Sequence, residues 1–379
     1  MHIVFLTGEY PLHNKIHGGI GSFVQTIAKG LIKENIAVTV IGFHSTVHSV
    51  DDDEGVRVIS LSPSKAPGLK WYFNFRKLNK EIRKLHSQSP ISIVESPELL
   101  LAFINKIPGI KYLIRLHGGH HFFSVGENRK VNNWKGFQEK RSFSKADGFI
   151  AVSNHVKEET QKFLSYGNKP IEIINYPISI ERFYPSDPVK VVKNSLVFAG
   201  TICEKKGVRQ LLQALKLLHK DFPDLHLNLF GRDWKFPGGK SYTDLMKESF
   251  ADIKDSFTFY GPVEQARLPS IYEEAEICIF PSHSETQGLV APESMAMEKP
   301  VIFTQLGPGS ETITHGIDGW LCNPLDPIDI AGTIKMALSQ RDDFSEIGRR
   351  ARAKVIGKFS PKKILKANID FYTSICDLK

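Results

Sequence analysis

The chain has 379 residues, 41% of them hydrophobic and 24% charged, which excludes disordered and fibrous classes and leaves room for two globular domains. No apolar run approaches the roughly 18 residues that would span a bilayer, and four scattered cysteines without a CxxC pair argue against a zinc ribbon or a disulfide framework and fit a reducing cytoplasm. The net charge of +8 is unequally shared: residues 1–190 hold 25 Lys+Arg against 17 Asp+Glu, while the remainder holds 24 of each, so an anionic partner is expected at the first half.

The opening MHIVFLTGEYP reads as a first core strand rather than a leader, since it has no basic n-region and its apolar stretch is short. Further strand-like runs follow at 37–43, 56–61, 91–96, 112–117, 148–153 and 171–176. Between the first two, Ile20, Phe23, Val24, Ile27 and Leu31 share one helical face. A polar, proline-containing stretch at 184–195 suits a linker. The pattern then restarts with LVFAG (196–200), followed by strands at 225–231, 257–261, 277–282, 300–305 and 319–324 and a helical pattern over 208–220. Strands alternating with helices predict parallel sheets with crossover helices. The expectation is α/β: two doubly wound, Rossmann-like domains, 1–190 and 191–357, facing across a cleft beyond the carboxyl ends of their strands. A C-terminal helix over 358–379 is expected to cross back to the first domain.

Several stretches carry candidate chemistry at those strand ends. HNKIHGGIGSF (13–23) places Gly18, Gly19 and Gly21 before a helix, where amides approach an anion closely, although a tight turn explains them equally well. In GTICEKKGVRQ (200–210), Lys206 and Gly207 directly precede a helix; the lysine could neutralise a diphosphate and the glycine clear space for it, although an ordinary charged loop explains them equally well. In ETQGLVAPESMAM (285–297), Glu285 and Glu293 flank a helix start at Gly288, Leu289 and Val290. A carboxylate on such a helix can accept from a ribose diol, and the amides at its start can bind phosphates. His117 ends an apolar strand ahead of two glycines. His120 and His121 follow it, but HxxHH lacks a carboxylate or cysteine companion, so no metal site is expected there. The acidic run Asp51–Asp53 is expected to be a solvated loop between two strands.

These motifs together resemble glycosyltransferase family 4 over nearly the whole chain. The likeness rests on GGIGSFVQTIAKGL (18–31), RLHGG (115–119), ADGFIAVSNHV (146–156), GTICEKKGVRQLLQAL (200–215) and, most specifically, FPSHSETQGLVAPESMAMEKPVIFTQLGPGSE (280–311). The resemblance implies a retaining enzyme of the GT-B fold that uses a nucleotide sugar. It implies that Glu285 contacts the donor sugar, Glu293 the ribose, Lys206 and the glycine loop the diphosphate, and that His117 lies near the reacting sugar. Three departures stand out. Thr201 occupies the place of an arginine, ETQG replaces the commoner EGFG, and Glu298 replaces a glycine before the PV strand.

The implied activity is transfer of a hexose or related sugar from a nucleoside-diphosphate sugar, UDP favoured over GDP, to a glycan or lipid-linked acceptor in polysaccharide or lipid-linked biosynthesis. No metal and no cofactor are expected beyond the donor itself. An epimerase on the same architecture, or a noncatalytic nucleotide-sugar-binding protein, are the alternatives. GLKWYFNFRKLNKEIRKLH (68–86) carries six basic residues against Glu81, with Trp71, Tyr72, Phe73 and Phe75 beside them. Two readings stay open for it: a surface helix whose aromatics belong to the core, or an amphipathic helix that lies on an anionic membrane and makes the protein peripheral to its inner face. No nucleic-acid-binding motif accompanies the charge.

Overall fold

The computed structural model describes residues 1–12, 18–127 and 129–378. The chain forms two compact units, Met1–Pro177 with Pro361–Lys379, and Ile178–Ser360.

The first unit runs β1 (His2–Leu6), α1 (Gly19–Lys33), β2 (Ala37–Gly42), β3 (Ser49–Asp53), β4 (Val56–Ser60), α2 (Lys70–Gln88), β5 (Ile93–Ser96), β6 (Lys111–Leu116), α3 (His120–Gly126), α4 (Asn133–Lys145), β7 (Gly148–Ala151), α5 (Asn154–Gln161) and β8 (Ile171–Ile173). Its eight strands lie in the order β3-β4-β2-β1-β5-β6-β7-β8. All neighbours are parallel except β3, which runs antiparallel to β4. Central strands such as β1 are buried along their whole length, as expected where helices cover both faces. Phe23, Val24, Ile27 and Leu31 form the buried face of α1, with Ile20 half-buried at its start.

The second unit contains β9 (Ser195–Ala199), α6 (Val208–Leu218), β10 (His226–Phe230), α7 (Tyr242–Ser249), β11 (Phe257–Gly261), α8 (Leu268–Glu274), β12 (Ile277–Phe280), α9 (Val290–Ala296), β13 (Val301–Thr304), α10 (Gly309–Thr312), β14 (Trp320–Cys322), α11 (Pro327–Ser339) and α12 (Phe344–Phe359). Its parallel sheet has the order β11-β10-β9-β12-β13-β14, the strand order of a dinucleotide-type doubly wound domain. The order reverses between β9 and β12, and the crevice at such a switch point is where ligands bind in folds of this kind.

The passage between units falls earlier than the linker pattern indicated. It lies at 177/178 rather than 190, because Ile178 and Phe183 belong to the second hydrophobic core and the Ile178 N–H donates to Phe359 O at 2.8 Å. The last helix, α13 (Pro361–Asp377), packs in the first unit against α1. Its Asn368 and Tyr372 reach the guanidinium of Arg115, which is completely buried and paired with Glu95 (Nε–Oε1 2.7 Å). Tyr372 also donates to Glu95 Oε2 at 2.7 Å. A buried charge needs such a counter-charge and hydrogen bonds, which here engage Nε and Nη2 of the guanidinium.

The acidic run expected as a loop is strand β3, with Asp51 opposite Val58 and Asp53 opposite Val56. Asp53 accepts from Tyr10 Oη and Gln25 Nε2, both at 2.8 Å, and pairs with Lys29 at 2.9 Å. These contacts tie the edge hairpin to α1 and the first loop.

Candidate active site

In the second unit, the two loops flanking the switch point come together. After β9 the chain passes through half-buried Thr201 into a short 3₁₀ turn, Glu204–Lys206, and leaves it through Gly207 at φ 72°. A Cβ at Gly207 would sit 1.9 Å from Pro281 O, so this glycine accommodates the neighbouring loop after β12 rather than a ligand. The His283 N–H donates to Lys205 O at 2.9 Å, sealing the two loops. Across that seam Lys206 Nζ lies 2.5 Å from Glu285 Oε1. Glu285 is only 8% exposed, so the ammonium is what makes its burial tolerable.

The start of α9 follows. Gly288 adopts φ 73°, and a side chain there would meet the Phe303 ring at 2.6 Å; this turn brings Leu289 and Val290 into the first helical positions. Amides at a helix start have no partner within the helix. Glu293 lies in the first turn of α9, and burial pushes its carboxyl up to about 7, opposed by the charge of Arg182. Its side chain is thus poised between acid and carboxylate near neutrality. The helix ends in a Schellman turn: Lys299 N–H donates to Ser294 O at 3.2 Å and Glu298 N–H to Met295 O at 3.1 Å. Glu298 occupies the left-handed position of that turn at φ 61°. The glycine usual there is therefore a backbone requirement, which glutamate meets with strain.

In the first unit, His117 follows β6 and is buried beside Tyr176. Its Nδ1 hydrogen-bonds the Tyr176 hydroxyl, the two rings stack at 5.8 Å, and Phe23 of α1 meets both. Burial, then the charge of Arg115, holds the imidazole down at about 3, so it is neutral at physiological pH. Residues 13–17 of the glycine loop lie outside the described residues. Gly18 itself has φ −90°, and its N–H donates to Glu9 Oε2 at 3.2 Å, so the amide expected at a diphosphate here holds a carboxylate. Gly19 opens α1.

The carboxylate companion that HxxHH was expected to lack is Glu139 on α4. It accepts the His120 and His121 N–H groups at 2.7 and 3.0 Å and pairs with His121 Nδ1, capping α3. Among the described residues, no group of three His, Cys, Asp or Glu is arranged to hold a metal ion. Beneath the same loop Glu98 is buried, and burial, followed by the charge of Glu139 among the raising causes, pushes its carboxyl up to about 8. Sequence reasoning missed Glu98, Glu139, Tyr176 and Arg182. Tyr176 was read only as the end of a strand, and no local spacing signals the others.

Residues 17–182 match the sequence signature of Glycosyltransferase Family 4 and residues 181–354 that of Glycosyl transferases group 1. The chain belongs to glycosyltransferase family 4. It is an enzyme of the glycosyltransferase class, and its two parallel-sheet, Rossmann-like domains are those of the GT-B fold. The family 4 chain is 24% identical to glycogen synthase of Mycobacterium tuberculosis over 93% of its own length and 89% of that protein. It superposes on sucrose-phosphate synthase from Thermosynechococcus elongatus with a TM-score of 0.82 at 19% identity, covering 99% and 98% of the two chains. Anabaena HepE in complex with UDP-glucose matches at a TM-score of 0.75 and 17% identity, over 99% and 100%.

Proposed function

We propose that this family 4 enzyme is a retaining hexosyltransferase that takes its sugar from a nucleoside-diphosphate donor, a UDP-sugar ahead of a GDP-sugar, and passes it to a glycan or lipid-linked acceptor. The observation that carries the reading is the Lys206–Glu285 pair beside the switch point. An entering diphosphate replaces Glu285 as the anion on Lys206, and the released carboxylate accepts hydrogen bonds from the sugar hydroxyls. Thr201, Gly288 and the amides of Leu289 and Val290 complete the phosphate contacts, and Glu293 takes the ribose diol. Gly18 and Gly19 are the further amides that the family resemblance assigns to a diphosphate, the Gly18 amide being held by Glu9 in this structure. His117, neutral and held by Tyr176, positions the reacting sugar.

In the step itself the bond from the anomeric carbon to the leaving oxygen breaks, and the acceptor oxygen bonds to that carbon on the same face. The departing phosphate takes the acceptor's proton. Catalysis then comes from Lys206 and the oriented amides stabilising the leaving charge, with no divalent ion needed. HepE bound to UDP-glucose and the likeness to a glycogen synthase support the donor and acceptor classes. No helix among the described residues is long and apolar enough to cross a membrane. The excess positive charge of the first half supports peripheral association with an anionic membrane at its inner, cytoplasmic face.

A thermal-shift panel of UDP-, GDP-, ADP- and dTDP-sugars in EDTA, followed by NMR of the product's anomeric configuration, tests this. Stabilisation by UDP-sugars and a product of unchanged configuration are expected. Isomerisation of the donor without acceptor, inversion, or a strict need for Mn²⁺ would each overturn the assignment.

A further inference from the structure

The aromatic side chains of helix α2 divide: Phe73 and Phe75 are half-buried, Phe75 packing on Phe103 at 5.1 Å, whereas the first two rings of the helix are exposed. Trp71 and Tyr72 are 37% and 43% exposed, and Trp134 and Phe137 of α4 are 44% and 49% exposed. They form one cluster: Trp71 packs on Phe103 at 4.8 Å and on Trp134 at 5.4 Å, Trp134 stacks on Phe103 at 5.7 Å, and Phe137 stacks on Trp134 at 5.8 Å. Four partly exposed rings in contact make a contiguous apolar patch, and such patches, rimmed by polar residues, mark interaction surfaces.

The cluster borders a groove of about 840 Å³ lined by Arg76, Lys80 and Arg83 of α2 and by Arg141 and Lys145 of α4. Among the described residues none of these five cations is paired with a carboxylate. Arg83, Arg141 and Lys145 instead donate to the backbone carbonyls of Asn79, Ala102 and Ile104, at 3.3, 2.7 and 2.6 Å. The one acid near them on α2, Glu81, is 3.9 Å from Lys84. Burial and then the charge of Arg141 hold the Lys145 amine below its usual range, so the two cations repel each other in the empty groove. An anion entering it relieves that repulsion.

We infer that the groove between α2 and α4, with its aromatic rim, is a docking site for an anionic phospholipid bilayer. The inference rests on the peripheral-membrane part of the proposed function and narrows it to one face of the first unit. Charge complementarity argues for phosphate headgroups in the groove. The rim argues for lipid over a soluble polyanion, because tryptophan and tyrosine settle where an apolar phase meets water. The rings enter the boundary between headgroups and acyl chains while the guanidinium and ammonium groups hold phosphates behind them.

The test uses the whole protein with vesicles of phosphatidylcholine, with and without phosphatidylglycerol, read by cosedimentation and by tryptophan emission. Binding to the anionic vesicles with a blue shift is expected. Arg141→Glu with Lys145→Glu should weaken it by roughly 30-fold or more. Trp134→Ala with Phe137→Ala should weaken it and remove most of the blue shift. The charge-matched control Lys220→Glu with Lys254→Glu, both exposed in the second unit, should bind as the wild type does. Wild-type protein that ignores anionic vesicles would refute membrane association itself. Wild-type binding that the groove and rim variants leave intact would refute only the site. Capture of a single-stranded oligonucleotide through the same cations, without vesicle binding, would give the groove to nucleic acid.

Discussion

Replacing Lys206 by alanine should separate two roles that the Lys206–Glu285 pair combines. The ammonium is 2.5 Å from a carboxylate whose side chain is 9% exposed, while the lysine side chain itself is 26% exposed. Removing one partner of a fully buried pair costs about 3–5 kcal/mol, because the other charge stays behind uncompensated. Water reaches the lysine head here, so about 1–2 kcal/mol is the expected loss. For a unit of this size that lowers the melting temperature by roughly 3–6 °C. Adding Glu285→Gln to Lys206→Ala removes the stranded charge and should recover most of that loss. The chemistry should not recover with it. Loss of a contact to the leaving phosphate costs about 3–4 kcal/mol, or 10²- to 10³-fold in rate, in the single and the double variant alike. Glu285→Gln alone should bind free UDP at least as tightly as wild type, since its lysine no longer has an anion to leave, yet turn over UDP-sugar poorly. Melting curves, UDP calorimetry and single-turnover rates on the three variants test this. A Lys206→Ala protein with unchanged melting temperature and a rate within a few-fold of wild type would refute both the pair's stabilising role and the diphosphate assignment.

Burial pushes the Glu293 carboxyl up to about 7, so UDP affinity should rise with pH between 6 and 8 as the ribose acceptor ionises, and Glu293→Gln should flatten that rise in calorimetry. Glu98 is raised from the usual carboxyl range to about 8, so its stabilising contribution is whole below about 4.5 and is lost as pH climbs through 8. Glu98→Gln should lose stability less steeply over that window in urea titrations, and parallel curves would show that Glu98 is ionised in the fold. Glu298→Gly, which frees the left-handed position of the Schellman turn from strain, should raise the melting temperature by an amount corresponding to about 0.5–1 kcal/mol.

The two sheets were legible because buried parallel strands are almost uniformly apolar, and thirteen of the fourteen strands coincide with runs such as HIVFLT and ICIFPS. Strand β3 escaped because three aspartates disfavour a strand, although the turn after it carried a signal. Glu54 and Gly55 both have positive φ, the requirement of a two-residue hairpin turn, and a glycine between alternating residues was the cue. The loops after β9 and β12 were readable from short motifs, whereas the pairing of Lys206 with Glu285 was not, since it depends on which strand ends the topology makes neighbours. The aromatics of α2 were undecidable from their own helix. Their exposure is set by Phe103, which lies beyond β5, and by Trp134, which lies beyond β5, β6 and α3. Arg115 presents the same limit at larger scale: its partners Glu95 and Asn368 are 20 and 253 residues away.

The return of α13 to the first unit sets an order on the nascent chain. Ile178–Ser360 is one uninterrupted segment and can close its core as soon as Phe359 leaves the ribosome. The amino-terminal unit, although made first, cannot do so. Glu95 and Arg115 are in place early, but Asn368 and Tyr372 arrive only with the final helix. At about 5–20 residues per second, that leaves the older half incomplete for roughly 10–40 s after its own last strand has been synthesised. During that interval the α1 surface that later receives α13 is open, which makes the early half, and not the late one, the part of this chain most dependent on chaperone protection.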